Sequence, residues 1–274
     1  MIKKYIAIIY EGERTEKQLV WNLNQIFFSE QCELVPITFP AGENIYMLWK
    51  QLKKDEFETD VIEVLRESNK EAKKVLEGFE RNDFMEIYLF FDYDGHNNNL
   101  KAKEKDVDIL EEMLNTFNEE TDLGKLYINY PMVESLRDQY AFEEEKCYRR
   151  CMLDIDDIKK YKKTVHEIKK YQDFRHLSKN DWYDLCRNSL RKLNCIIKGR
   201  YELPERNDLF NELTQDRLYD FQKTKFIKNG KIGIINSFHC LFMNILESLY
   251  GKLNRGRGIV PCQMILEANC EHKK

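Results

Sequence analysis

The chain has 274 residues, of which 42% are hydrophobic and 12% aromatic, enough for a sizeable core in one large or two small domains and too apolar for a disordered chain. No run of eighteen apolar residues occurs, and "MIKKYIAIIY" lacks the apolar length and cleavage site of a signal peptide, so a cytoplasmic protein without a membrane span is expected. The formal charge of -4 is uneven: residues 1–158 carry 20 Lys and Arg against 35 Asp and Glu, residues 159–200 carry 13 against 4, and residues 201–274 carry 11 against 9. An acidic half beside a basic segment suits a protein that binds cations in one place and a polyanion next to it.

"KYIAIIY" (4–10) is too short for a helix and continuously apolar after Lys4, which predicts a strand covered on both faces near the centre of a sheet. After Gly12, Thr15 with Gln18 has the form of a capping box, and Leu19, Val20, Leu23, Ile26 and Phe27 follow at helical spacing. "CELVPITF" (32–39) reads as a second strand, placed by Pro36 at an edge or bulge. Residues 58–80 read as one charged amphipathic helix. "MEIYLFFDYDGHNNN" (85–99) then repeats the opening design, with a strand Ile87–Phe91 ending in Asp92, Asp94 and Gly95. A helix from about Lys103 to Phe117, a strand at 125–129 and a helix starting near Pro131, with Glu134 in its first turn, continue the alternation. Helical patterns dominate the remainder, including 231–250, where His239 and Cys240 suit a buried position. The eight cysteines form no CxxC pair, which favours reduced thiols.

The expected architecture is therefore α/β, a mostly parallel sheet flanked by helices in residues 1–140, followed by a mainly helical region in 141–274. Ligands of such sheets bind outside the carboxyl ends of the strands, where Glu11, Asp92, Asp94 and Glu134 would converge. Clustered carboxylates repel one another unless cations neutralise them, and an all-oxygen donor set selects hard ions such as magnesium or manganese. Two ions about 3.5–4 Å apart would stabilise the attacking and leaving oxygens of phosphodiester hydrolysis. Glycines at 12 and 95 would let the chain turn and leave room for a substrate. Each acid taken alone also suits a turn or a helix cap, and Glu16 suits a first helical turn.

A strand ending in Glu-Gly (Glu11, Gly12) and a later strand ending in Asp-x-Asp (Asp92, Asp94) resemble the TOPRIM domain. The longer "YEGERTE", with the Pro-x-x-Glu of "YPMVES", is similar to the RloB and AbiLii branch of TOPRIM nucleases, relatives of the OLD family. The resemblance spans residues 4–137. It implies a nuclease with two magnesium or manganese ions, Glu11, Asp92 and Asp94 as ligands, Glu134 as a ligand or close neighbour, and Glu16 as a possible ligand to a second ion. It also implies a role in anti-phage defence beside an ATPase. No GxxxxGK[ST] loop is present, so that ATPase would be a separate protein. The resemblance does not identify which lysine would match the catalytic lysine of the OLD nucleases. Two other readings stay open, an RNA-maturation TOPRIM ribonuclease and a non-catalytic subunit that binds an ATPase.

The basic segment supplies Lys162, Lys163, Lys169 and Lys170 as candidate contacts to a nucleic-acid backbone. The spacing of Tyr161, Val165, Ile168 and Tyr171 predicts a helix with these aromatics packed inward and the lysines in solvent.

Overall fold

Hydrogen-bonded on both edges, the N-terminal run Lys4–Tyr10 is strand β1, and Ile6 to Ile9 are completely buried although successive side chains point to opposite faces. Apolar side chains at every position are what a doubly covered strand requires. The structure is a computed structural model that describes residues 3–12, 14–28, 32–39, 44–93, 106–138, 151–167, 171–205, 208 and 214–241. Strand β2 (Cys32–Thr38) pairs with β1 in parallel, as does β3 (Phe84–Asp92) on the other side. Short β4 (Asn118–Glu119) runs antiparallel to β5 (Gly124–Asn129), and the five-stranded order is β2-β1-β3-β5-β4. Pro36 thus lies on an edge strand, where its missing N–H interrupts no ladder. The chain is α/β, with a mostly parallel sheet flanked by helices.

Helix α1 (Thr15–Phe27) starts where expected, but the Thr15–Gln18 capping box does not form: the cap position is Arg14, with no side-chain cap bond. The helix expected over 58–80 is two. Asp60 caps α3 (Val61–Ser68) through the backbone N–H groups of Ile62 and Glu63, and Asn69 ends it in extended backbone. Asn69 then caps α4 (Lys70–Val75), accepting from Glu71 N at 2.9 Å while its amide donates to Thr38 O. A side chain that satisfies backbone groups on both sides breaks a helix more effectively than propensity sustains it. Helix α2 (Ile45–Lys54) lies before this pair, and α5 (Asp106–Thr116) follows β3.

The chain divides into two compact units, residues 1–128 with 170–176 and residues 129–169 with 177–274. In the first, the returning 170–176 segment is tied to α1 by Asn22 Nδ2 donating to Arg175 O at 2.9 Å. The second contains α6 (Ile158–His166), α7 (Lys179–Lys198), α8 (Gln215–Phe221) and an antiparallel pair, β6 (Met152–Asp154) with β7 (Lys231–Gly233). Ser178 and Asp181 form a capping box on α7, and Gly199 ends it in the left-handed conformation, φ 75°. Residues 231–250 were expected to be helical throughout, but they open with β7, because Gln222 binds both backbone groups of Gly233 and holds that segment extended. Helix resumes over 238–241, and 242–250 lie outside the described residues. No helix among the described residues is long and apolar enough to cross a membrane. Cys32, Cys186, Cys195 and Cys240 carry free thiols as expected, whereas Cys151 is disulfide-bonded.

His239 is buried. Its Nδ1 lies beside Asn236 O, an acceptor only, so Nδ1 carries the proton and Nε2 faces Cys240 Sγ at 3.2 Å. Burial lowers the ring's pKa to about 4. Between about pH 6.5 and that value the unfolded chain binds the proton more readily, so stability falls as pH falls through this window, by about 3 kcal/mol in all. Urea titrations at pH 7 and pH 4.5 should show wild type losing most of this amount relative to His239→Gln.

Gly124 adopts φ +110°, and a Cβ there would lie 2.8 Å from Leu89 Cδ1 and 2.9 Å from Ile87 Cγ2. Gly78 adopts φ +83° with nothing within 4 Å of such a Cβ. Gly124→Ala should cost about 2–4 kcal/mol in denaturant titrations from strain plus overpacking, and Gly78→Ala about 1 kcal/mol from strain alone.

Candidate metal centre and basic face

Glu11 is the first residue past β1, and its Oε1 accepts from the backbone N–H of Ile45 at 3.0 Å. Asn44, the cap residue of α2, makes no side-chain cap bond, so Glu11 supplies the anion at that helix N-terminus. Across β1, Tyr10 pairs with Phe90. Continuing the register puts Phe91 level with Glu11 and Asp92 level with Gly12. Two carboxylates thus stand at the carboxyl ends of adjacent parallel strands.

Glu16 is also drawn into this end of the sheet. It is buried on the first turn of α1, and its Oε1 accepts from Gly12 N at 3.1 Å. A Cβ on Gly12 would sit 2.2 Å and 2.4 Å from the two Glu16 carboxylate oxygens. The space at Gly12, expected to admit a substrate, is therefore filled by a side chain of the protein itself. Beside it the Tyr10 hydroxyl is buried with no hydrogen-bond partner among the described residues, and burial first, then the charge of Glu16, raises its pKa far above the usual phenol value.

Asp94 lies outside the described residues. Among the described residues no three His, Cys, Asp or Glu side chains form a metal-binding group. Glu11, Glu16 and Asp92 are all described, so the expected gathering of the strand-end acids into one metal-binding group is not seen among these three.

Glu134 sits in a tight 3-10 segment, Val133–Arg137, preceded by a cis Tyr130–Pro131 peptide; the α-helix expected at Pro131 is not formed. That segment is clamped within the second unit. Asn236 Nδ2 donates to Val133 O at 2.9 Å, Ser237 N donates to Asn129 Oδ1 at 2.9 Å, and Tyr130 and Ile235 exchange backbone bonds of 2.8 Å. At its other end Tyr161 Oη donates to Asp138 Oδ2 at 3.0 Å, and the Lys192 ammonium donates to Asp138 O. Glu134 itself is buried, with its Oε1 3.1 Å from Lys162 Nζ.

Helix α6 has the two predicted faces but ends at His166, so Tyr171 lies beyond it, and Ile168 lies outside the described residues. Ile158, Tyr161 and Val165 are buried, while Lys159, Lys160, Lys162 and Lys163 are exposed. Tyr171, Phe174 and Trp182 are likewise core residues. Lys169 and Lys170 lie outside the described residues. Much of the remaining positive charge is internally compensated, by Asp157 at Lys160, Asp173 at Arg175, Asp184 at Arg187 and Asp208 at Lys198. Lys192, within the basic segment 159–200, is buried, and desolvation lowers its pKa against the opposing effect of Asp138. Nothing local in the sequence signals that role, because Lys192 and Asp138 are 54 positions apart.

Compared with protein-family models, curated proteins and solved structures, the chain gives no significant match to any of them.

The Gly12 contact separates local geometry from global stability. Gly12→Ala must displace only the end of a flexible side chain, so the melting temperature should fall by a few degrees at most. The same variant should lose divalent-cation affinity in calorimetry to the extent that Glu16 is a ligand.

Proposed function

We propose that this protein is a divalent-metal-dependent nuclease that hydrolyses phosphodiester bonds of DNA or RNA. The observation that carries the reading is the pair Glu11 and Asp92 at the carboxyl ends of adjacent parallel strands, where open sheets of this kind bind their ligands. Magnesium or manganese would be held by Glu11 and Asp92, with Asp94 and Glu16 as further oxygens; Glu134, which the motifs also imply, belongs to the second unit. Such ions supply charge neutralisation at the phosphate and a more acidic bound water.

The chain's own residues have separate tasks in this scheme. Glu11 stays in place because the Ile45 N–H holds one of its oxygens. Glu16, folded over Gly12, keeps negative charge at the strand end without occupying the chain's outer surface. Lys162 and Lys163, on the exposed face of α6, are suited to hold the phosphate backbone. A role in anti-phage defence with a separate ATPase is supported by the resemblance of the motifs.

A second reading has an observation of its own. The backbone bonds of Glu11 to Ile45 and Glu16 to Gly12 are what helix-capping and turn-forming acids make, which supports a non-catalytic subunit that engages a partner such as an ATPase.

Incubating the protein with plasmid, single-stranded DNA and tRNA in manganese decides between them. Wild type should cleave at least one substrate, whereas Glu11→Ala and Asp92→Asn should be inactive with unchanged far-UV circular dichroism. Glu11→Ala should in addition lose about 1 kcal/mol of stability with the α2 cap. Cleavage by Glu11→Ala at the wild-type rate sinks the metal-site assignment. Tight manganese binding without cleavage of any nucleic acid establishes the second reading.

A further inference from the structure

A cavity of about 560 Å³ lies within the first unit, where α3 and α4 meet the loop that leads toward β3. Its walls carry Arg66, from the last turn of α3, and Lys70, Lys73 and Lys74 of α4, although residues 1–158 are the acidic part of the chain. Leu76 and Phe79 add apolar surface. The Phe79 ring meets Tyr5 edge-on at a centroid distance of 4.8 Å and lies 5.3 Å from Phe84, so this cavity belongs to the amino ends of β1 and β3. At about 3.3 Å per residue, the run from Tyr5 to Glu11 separates it from the strand-end acids by roughly 20 Å along the sheet.

The four cations differ in how they are held. Arg66 is fixed, with Nη1 donating to Glu63 Oε1 at 2.6 Å and Nη2 to Phe79 O, and a guanidinium has more N–H donors than these two partners use. Lys74 pairs with Glu71 at 2.7 Å. Lys70 and Lys73 are exposed and make no ion pair among the described residues. Two ammonium groups available beside a pre-positioned guanidinium suit a phosphate dianion. Gly78 leaves the lining open, since a Cβ there would meet nothing within 4 Å. A long polyanion suits the place poorly. The same helices present Glu63, Glu67 and Glu71, and Glu77 and Glu80 line the cavity itself, so the positive charge is local.

We propose that this cavity is a binding site for a small phosphate monoester, with Arg66, Lys70 and Lys73 holding the phosphate group and Leu76 and Phe79 covering the organic part. Its volume is that of a small-molecule pocket, about 300–1,000 Å³, and exceeds what a bare phosphate fills. The site needs no divalent ion and is independent of the nuclease reading.

Calorimetric titrations in the presence of EDTA test it, with AMP, inorganic phosphate and adenosine as probes. AMP should bind wild type, inorganic phosphate should bind more weakly, and adenosine should give no measurable heat. Combining Lys70→Gln with Lys73→Gln should weaken AMP roughly tenfold or more, because each lost charged donor is worth at least that factor, and the exposed positions should leave the melting temperature unchanged. Lys54→Gln combined with Lys228→Gln removes the same charge from other exposed positions and should leave AMP binding as it is. Glu77→Gln should tighten AMP several-fold, since its carboxylate opposes an anion in the cavity. Equal affinity for AMP and inorganic phosphate identifies the free ion as the ligand and overturns the role given to Leu76 and Phe79. Wild type that binds neither probe overturns the proposal, as does AMP binding that survives the Lys70 and Lys73 changes. A short single-stranded oligonucleotide that displaces AMP and depends on the same two lysines overturns it in favour of a nucleic-acid surface.

Discussion

Because β1 is hydrogen-bonded on both edges and buried on both faces, its position in the sheet dictates where charge can enter this part of the molecule. A carboxylate within Ile6–Ile9 would be desolvated on every side, at a cost of several kcal/mol. The first position where an acid is tolerable is the residue after the strand, and Glu11 occupies it. There it has an open helix N-terminus to satisfy, the Ile45 N–H of α2. Strand β3, apolar from Ile87 to Phe91, ends in the same way with Asp92. Two neighbouring parallel strands under one constraint bring their terminal acids to the same end of the sheet without any direct attraction between them.

The second unit solves a comparable problem by a different device. Its acids, Glu134 and Asp138, lie on a short segment within the fold's interior, and each is matched by a group from α6. Lys192 adds a buried ammonium to the Asp138 carbonyl. Burying a lysine lowers stability unless its protons are used. Its retention is understandable as the fixing of one loop conformation, which apolar packing alone would leave free to slide. The consequence is a segment held by side chains at both ends, with Lys162 on the exposed face of α6 opposite Glu134.

Glu16 shows how close packing converts sequence position into geometry. Gly12 has no side chain, and the Glu16 carboxylate occupies the space a Cβ would take. The two residues are four positions apart, across the start of α1, so glycine is required for the approach of the acid and not for an unusual backbone angle. The neighbouring Tyr10 hydroxyl has no hydrogen-bond partner among the described residues, the kind of buried polar group that compact sites retain at some energetic cost.

Local physics made much of this legible in the sequence. The uninterrupted apolar run of 5–10 dictated an interior strand, Pro36 an edge strand, and the heptad-like spacing of α6 its buried tyrosine and exposed lysines, because solvent contact along a strand or helix follows from periodicity alone. The strand-end acids were visible for the same reason. What the sequence did not contain were events in which a side chain spends its hydrogen bonds far from its neighbours in the chain. Asn69 splits a helix by reaching to Thr38, Gln222 holds 231–233 extended, and Lys192 leaves a basic run to bind Asp138. Periodicity reports the average environment of a segment and says nothing of which distant backbone group a polar side chain will find. The tertiary structure decided those choices, because an unsatisfied buried donor or acceptor costs more than the local preference it overrides.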